Sequence, residues 1–96
     1  MKSTPPSTIT YSVSDSVAWR EVDGEVFAVT SDGVMHNIRN PVGLFIFKAL
    51  LQDGATVSSI ASQVVDAFEV SPDTAREDAT EFIEHLVAKG VVKKRG

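Results

Sequence analysis

The sequence of 96 residues contains no cysteine and no long run of apolar residues. Without cysteine the chain can form neither disulfide bonds nor thiolate metal sites, and it cannot use a thiol in catalysis. No uninterrupted apolar stretch is longer than that from Leu44 to Phe47, which is far shorter than the roughly 20 residues that a membrane-spanning helix requires. These absences exclude a disulfide-stabilised scaffold, a thiol enzyme and a helical membrane protein.

Basic residues are also scarce. Nine Lys and Arg residues stand against 13 Asp and Glu residues, which gives a formal net charge of -4 and a pI near 5.0. A partner recognised mainly through its phosphates requires clustered Lys and Arg, and the sequence clusters them only at Lys93 to Arg95. The charge balance therefore argues against nucleic acid as the main partner.

The amino-terminal segment has the composition of a flexible arm. Residues 1 to 8 are rich in Ser, Thr and Pro, and they lack the apolar region of a secretory signal, so a cytoplasmic protein is the default expectation. Ile9, Tyr11 and Val13 alternate like a short strand. With 43% hydrophobic and 23% charged residues, the chain is predicted to have a flexible arm over residues 1–14 and one globular domain over residues 15–96.

The first clear structural pattern is a β-hairpin centred on Asp23-Gly24. A two-residue loop would place Trp19 opposite Ala28, whereas a three-residue loop ending on Gly24 would gather the apolar residues on one face. Periodicity favours the three-residue loop, although Glu21 would then lie opposite Glu25. The apolar residues gathered in that arrangement are Val17, Trp19, Phe27 and Val29.

A second turn, Ser31 to Gly33, leads into a third short strand, Val34 to Ile38. Asn40 then has the features of a helix N-cap and Pro41 those of a first helical residue. The helix that follows, ending at Gly54, is apolar almost all round, which predicts that it is buried. Its apolar residues are Val42, Leu44, Phe45, Ile46, Phe47, Ala49, Leu50 and Leu51.

Two amphipathic helices follow. Thr56 is the predicted cap of the second helix, and Ser71-Pro72 opens a third that runs to about Lys89, with Gly90 as its stop. The inward stripe of the second helix comprises Val57, Ile60, Ala61, Val64 and Phe68. That of the third comprises Ala75, Ala79, Phe82 and Leu86, while Ile83 and Val87 extend the apolar arc to the side that carries Arg76 and Thr80. The predicted fold is α+β, a three-stranded antiparallel sheet followed by three helices, resembling a winged helix-turn-helix.

Several motifs in this order resemble the PqqD-like proteins, the stand-alone form of the recognition element in ribosomal peptide modification systems. They are the Asp-Gly hairpin, "NPVG", "DGATVSSIA", "FEVSP" and the spacing of Asp78, Phe82, Ile83, Leu86 and Gly90, over about residues 16 to 93. Two features depart from the family. Arg39 separates Ile38 from Asn40, which predicts a kink or a register shift at the strand end. "TSDG" replaces the proline-glutamate-glycine stretch of the pyrroloquinoline quinone branch, which leaves the pathway open.

The resemblance implies a peptide-binding chaperone. In the family, the leader segment of a precursor peptide lies along the exposed edge of the third strand, in a groove shared with the third helix, and is handed to a modifying enzyme such as a radical SAM enzyme or a cyclase or protease. An exposed strand edge can bind a peptide by strand addition. The residues expected at this site are Val34, Met35, His36, Asn37 and Ile38 on the strand and Arg76, Ala79, Thr80, Ile83 and Val87 on the helix.

Other interpretations of these residues remain open at the level of sequence. Ile83 and Val87 are equally compatible with closure of the core, and Met35 with filling a gap in it. No catalytic motif, metal site or cofactor is predicted: His36 and His85 are isolated, and Glu81, Glu84 and His85 suit a solvated helix face.

Two alternative functions follow from the same pattern. A winged helix-turn-helix DNA-binding regulator would use the third helix, but that helix carries five acids against two bases. In a structural adaptor or domain-swapped homodimer, the strand-like arm would occupy the third strand's edge in its own or a neighbouring copy.

Overall fold

The computed structural model describes residues 9–51 and 55–95. It confirms the α+β class, with a three-stranded antiparallel sheet followed by three helices, and adds a second, two-stranded sheet. The strands are β1 (Thr10–Val13), β2 (Ala18–Val22), β3 (Glu25–Val29), β4 (Met35–Ile38) and β5 (Val92–Arg95); the helices are α1 (Pro41–Ala49), α2 (Val57–Phe68) and α3 (Pro72–Ala88). None of the described helices is long and apolar enough to cross a membrane.

The hairpin of β2 and β3 closes with a two-residue loop, so the predicted three-residue loop is wrong. Asp23 and Gly24 have φ angles of 52° and 78°, and Trp19 lies opposite Ala28. Positive φ at both positions is typical of a type I′ turn, whose twist matches that of the strands. Every residue of β2 is exposed, so dividing its apolar residues between the two faces of the sheet costs little free energy. The preference of Asp-Gly for a two-residue turn therefore determines the register.

This register also removes the predicted opposition of two glutamates. Glu21 lies opposite Val26 and forms an ion pair of 3.1 Å with Lys48 of α1. Trp19 packs edge-on against Phe47, with ring centroids 5.4 Å apart. Both contacts join the inner face of the sheet to α1.

The turn between β3 and β4 sets the orientation of the β4 backbone. Gly33 has a φ of 85°, and the Thr30 N–H donates to the Val34 carbonyl at 3.0 Å. Because hydrogen-bonded residues alternate along an antiparallel strand, the backbone groups of His36 and Ile38 point toward β3, and those of Met35 and Asn37 point away from it. The strand begins at Met35, one residue later than predicted.

Local capping explains where the helices start. The Asn40 side chain accepts hydrogen bonds from the N–H groups of Val42 and Gly43, and Pro41 is the first residue of α1, as predicted. Thr56 and Ser71 cap α2 and α3. The predicted end of the first helix, Gly54, lies outside the described residues.

The helices bury the stripes that form the core. Ile46, Phe47 and Leu50 of the first helical segment are fully buried, whereas Leu51 is exposed, so that helix is covered on most but not all sides. Ile60, Ala61 and Val64 of α2 are buried as predicted, with Val57 and Phe68 partly buried beside them.

The strand-like segment of the predicted arm forms β1, which is paired with another strand. β1 pairs antiparallel with β5, and the side chain of Tyr11 on β1 is buried. The Tyr11 hydroxyl donates to the Glu84 carboxylate at 3.4 Å; burial, followed by the negative charge of Glu84, raises the pKa of Tyr11. Residues 9–14 thus differ from the flexible arm expected for them, and their partner is β5 rather than the edge of β4.

Candidate functional site

The outer edge of β4 is the feature that a strand-adding ligand would use. Within residues 9–51 and 55–95, the larger sheet has the order β2, β3, β4, and β4 has a partner strand on one side only. The N–H and C=O groups of Met35 and Asn37 point to the open side. Arg39 leaves the strand and forms an ion pair with Glu25 at 3.6 Å, while β4 keeps a regular register through Ile38, so the predicted shift does not occur.

A groove lies between β4 and α3. It encloses a cavity of about 500 Å³, and its walls are the strand and one side of the helix. We call this space the β4–α3 groove. Its lining residues are Met35, His36, Asn37, Ile38, Arg39, Asn40, Phe82, His85 and Leu86. Four of the five strand residues predicted at the site are therefore at the groove; Val34 precedes the strand and is exposed.

The helix wall of the groove differs from the predicted one. It consists of Phe82, His85 and Leu86, and none of the five helix residues predicted there lines it. Ala79 and Ile83 are buried in the core, and Thr80 is exposed.

The two remaining predicted helix residues also lie elsewhere. Arg76 donates a hydrogen bond of 3.1 Å to the Ser58 hydroxyl of α2 and lines a separate recess between α2 and α3. Val87 is partly buried and packs against the core. The predicted wall is thus rotated about the helix axis relative to the observed one.

The two-stranded sheet of β1 and β5 explains this rotation. β1 lies beside α3 on the side of Glu84, as the bond from Tyr11 shows, and the fully buried Val91 leads from α3 into β5. These segments cover the side of the helix that carries Ile83 and Val87, which was predicted to face the groove. Phe82, predicted to be in the core, packs against it but is only partly buried and lines the groove. Burial of Ile83 against the carboxy-terminal segment was the alternative that the sequence left open.

Phe82 separates the β4–α3 groove from a second recess. This recess, of about 520 Å³, lies between the start of α1 and α3, and we call it the α1–α3 recess. Asn40, Phe82 and His85 line both spaces. The other residues of the recess are Val42, Gly43, Ile46, Asp78 and Glu81. The two spaces therefore adjoin each other along α3.

Gly43 allows Phe82 to lie against α1. A Cβ atom at position 43 would come within 3.0 Å of Cε1 of Phe82 and 3.4 Å of Cγ2 of Ile38. We expect Gly43→Ala to push the Phe82 ring into the groove and to weaken peptide binding severalfold. The higher helix propensity of alanine, about 1 kcal/mol, should largely offset the strain, so stability should change little. Calorimetric titration and thermal denaturation test the two effects; Gly43→Ala with unchanged affinity would contradict this role of Phe82.

Acidic side chains surround the site without forming a metal centre. Asp78 and Glu81 lie in the α1–α3 recess, and Asp32 lies in the turn before β4. Hydrogen bonds from the Thr30 hydroxyl and from the Val34 N–H hold the pKa of Asp32 below its usual value. Within the described residues, no group of three or more His, Cys, Asp or Glu side chains comes together in a way that could hold a metal ion.

Residues 32–92 match the family model described as coenzyme PQQ synthesis protein D (PqqD). The match covers more than half of the chain and includes β4, all three helices and the start of β5. The chain belongs to the PqqD family. Both walls of the β4–α3 groove fall within the part that defines this membership. A comparison with curated protein sequences found no match.

Two solved structures share the fold of this PqqD-family chain. One is described as "TbiB1 in Complex with the TbiA(beta) Leader Peptide"; it is 23% identical with a TM-score of 0.76, over 85% of this chain and 94% of the other. The second is described as "Lasso peptide synthetase B1 complexed with the leader peptide"; it is 18% identical with a TM-score of 0.75, over 88% of this chain and 98% of the other.

Proposed function

We propose that this chain is a non-catalytic peptide-binding protein of a ribosomal peptide modification system. It captures the leader segment of a precursor peptide by strand addition at β4 and presents it to a modifying enzyme, such as a radical SAM enzyme, a cyclase or a protease. The observation that carries the proposal is the open edge of β4 above the β4–α3 groove. Membership in the PqqD family and the two structures of similar fold, both described with leader peptides, support it.

The geometry of β4 suits this role. A peptide strand beside it would pair with the N–H and C=O groups of Met35 and Asn37. Successive side chains of the added strand would point alternately into the groove and onto the outer sheet face. Those pointing inward would meet an apolar wall of Ile38, Phe82 and Leu86, which gives sequence preference, while the backbone pairing contributes affinity independent of sequence.

Proline scanning of the β4 edge tests the proposal. Met35→Pro and Asn37→Pro each remove an outward N–H, and each should lower the affinity for the partner leader peptide by several-fold to tenfold. The reason is that a lost backbone hydrogen bond costs about 1 kcal/mol. Calorimetric titration of each folded variant measures the effect. An edge strand tolerates such substitutions better than a central strand does.

The matched control lies on the opposite edge of the same sheet. In the hairpin register the Glu21 N–H of β2 also points outward, so Glu21→Pro places an equivalent proline away from the groove. His36→Pro is a poor control because its N–H pairs with β3. Equal affinities for the β4 variants, the Glu21 variant and the parent would refute strand addition at β4. A gene with no precursor or modifying enzyme beside it would weaken the assignment to peptide modification.

A further inference from the structure

His36 holds a buried nitrogen without a hydrogen-bond partner. Its side chain lies on the inner face of β4, opposite the buried Ala28 and on the same face as Ile38. It lines the β4–α3 groove together with Phe82, His85 and Leu86. Its Nε2 atom is shielded from solvent and makes no hydrogen bond within the part of the chain that the structure describes.

An unpaired buried nitrogen is unfavourable for the unbound protein. Burial removes the hydrogen bonds that the nitrogen would make to water, and native proteins rarely leave this loss uncompensated. A leucine or valine at position 36 would suit the apolar neighbours Ile38 and Leu86 better. Because His36 lines the groove, a ligand bound there is the candidate for the missing partner.

Strand addition at β4 brings a ligand side chain to this position. Side chains of directly opposed residues on neighbouring antiparallel strands have Cβ atoms about 4.5–5.5 Å apart and lie on the same face. The peptide residue opposite His36 therefore points into the groove beside the imidazole. Peptide residues one position away point to the outer face and cannot reach it.

The chemistry of the site favours a hydroxyl group as the partner. A neutral imidazole offers a donor or an acceptor according to its tautomer, and a hydroxyl can both donate and accept. A carboxylate is disfavoured because Asp32 precedes β4, Asp78 and Glu81 lie in the adjoining α1–α3 recess, and the chain has a formal net charge of -4. Arg39, a cation that lines the groove, is already paired with Glu25 at 3.6 Å. We propose that His36 is a specificity-determining residue that selects a Ser, Thr or Tyr at the peptide position opposite it, an inference that rests on the proposed function.

Paired selections test this inference. A yeast-displayed library of random 16-residue peptides is selected in parallel on the parent chain, on His36→Leu and on Thr80→Leu. Thr80 is exposed on α3 and lines neither the groove nor the α1–α3 recess, so Thr80→Leu introduces the same side chain away from the site. We expect the parent and the Thr80 variant to enrich Ser, Thr or Tyr at one position of the bound peptides. The His36 variant should enrich aliphatic residues at that position instead.

A double-mutant cycle on one selected peptide then measures the contact. His36→Leu should weaken the hydroxyl-bearing peptide about threefold to tenfold, with little effect on the analogue in which Thr is replaced by Val, Ser by Ala or Tyr by Phe. The thermal stability of the free His36 variant should be unchanged or higher, because the unpaired nitrogen is gone. A histidine with a purely structural role would instead lower the stability and affect both peptides equally.

The outcomes separate this inference from the proposed function. Peptides that shift the amide NMR signals of β4 but show no hydroxyl preference and no coupling to His36 would overturn the role of His36 and leave strand addition intact. Failure to select any peptide that perturbs β4 would overturn both.

Discussion

Replacement of Ile83 by aspartate is expected to unfold the domain rather than to weaken peptide binding alone. Ile83 is fully buried in the core stripe of α3, with Ala79 and Leu86 on the same helix. An aspartate at this site must either stay charged without a partner or become protonated, and the apolar burial of isoleucine is lost as well. Together these effects cost on the order of 3–5 kcal/mol. That is a large part of the roughly 5–15 kcal/mol by which a typical domain is stabilised. Urea denaturation followed by circular dichroism measures the loss.

Thr80→Asp is the matched control for this prediction. Thr80 lies on the same helix, one turn before Ile83, but its side chain is exposed. Its replacement should change the free energy of unfolding by less than about 0.5 kcal/mol. An Ile83 variant that stays folded at the parent's stability and loses only peptide affinity would contradict the observed burial and would restore the wall predicted from the sequence.

The helix starts could be predicted because their causes are local. Asn40-Pro41 and Ser71-Pro72 each join a side-chain cap to a proline in the first turn, and both motifs function in the structure as the sequence indicates. The strand side of the groove was predictable for a similar reason. Met35 and Asn37 are poorly suited to a buried strand, and β4 is an edge strand.

The hairpin register was mispredicted because two local rules conflict there. Periodicity groups Trp19 with Phe27, whereas Asp-Gly is the sequence most typical of a two-residue turn. The periodicity argument assumes that one face of β2 must be buried. β2 is exposed along its whole length, so the assumption fails and the turn determines the register.

The rotation of α3 could not be determined from its own residues. Phe82 and Ile83 are adjacent and apolar, so the helix pattern allows either to face the core. The choice depends on β1 and β5, whose pairing joins residues more than 75 positions apart in the sequence. One sequence feature was informative: the period-two residues Ile9, Tyr11 and Val13 marked a strand whose partner the sequence did not identify.

Phe82 is the residue whose loss should reduce peptide affinity most without unfolding the chain. It is partly buried, it lines both the β4–α3 groove and the α1–α3 recess, and it lies across the groove from β4. Truncation to alanine of a hot-spot residue at the centre of a binding site costs about 2 kcal/mol or more, and if Phe82 is such a residue, Phe82→Ala should weaken leader binding by roughly 30-fold. Calorimetric titration measures this change.

A second aromatic residue provides the control that separates binding from stability. Phe68 of α2 is also half-buried and packs edge-on against Phe45, with ring centroids 5.4 Å apart, but it lines neither the groove nor the recess. Phe68→Ala should therefore lower the melting temperature at least as much as Phe82→Ala and leave leader affinity unchanged. Similar affinity losses in both variants would show that general destabilisation, rather than the groove wall, accounts for the effect of Phe82→Ala.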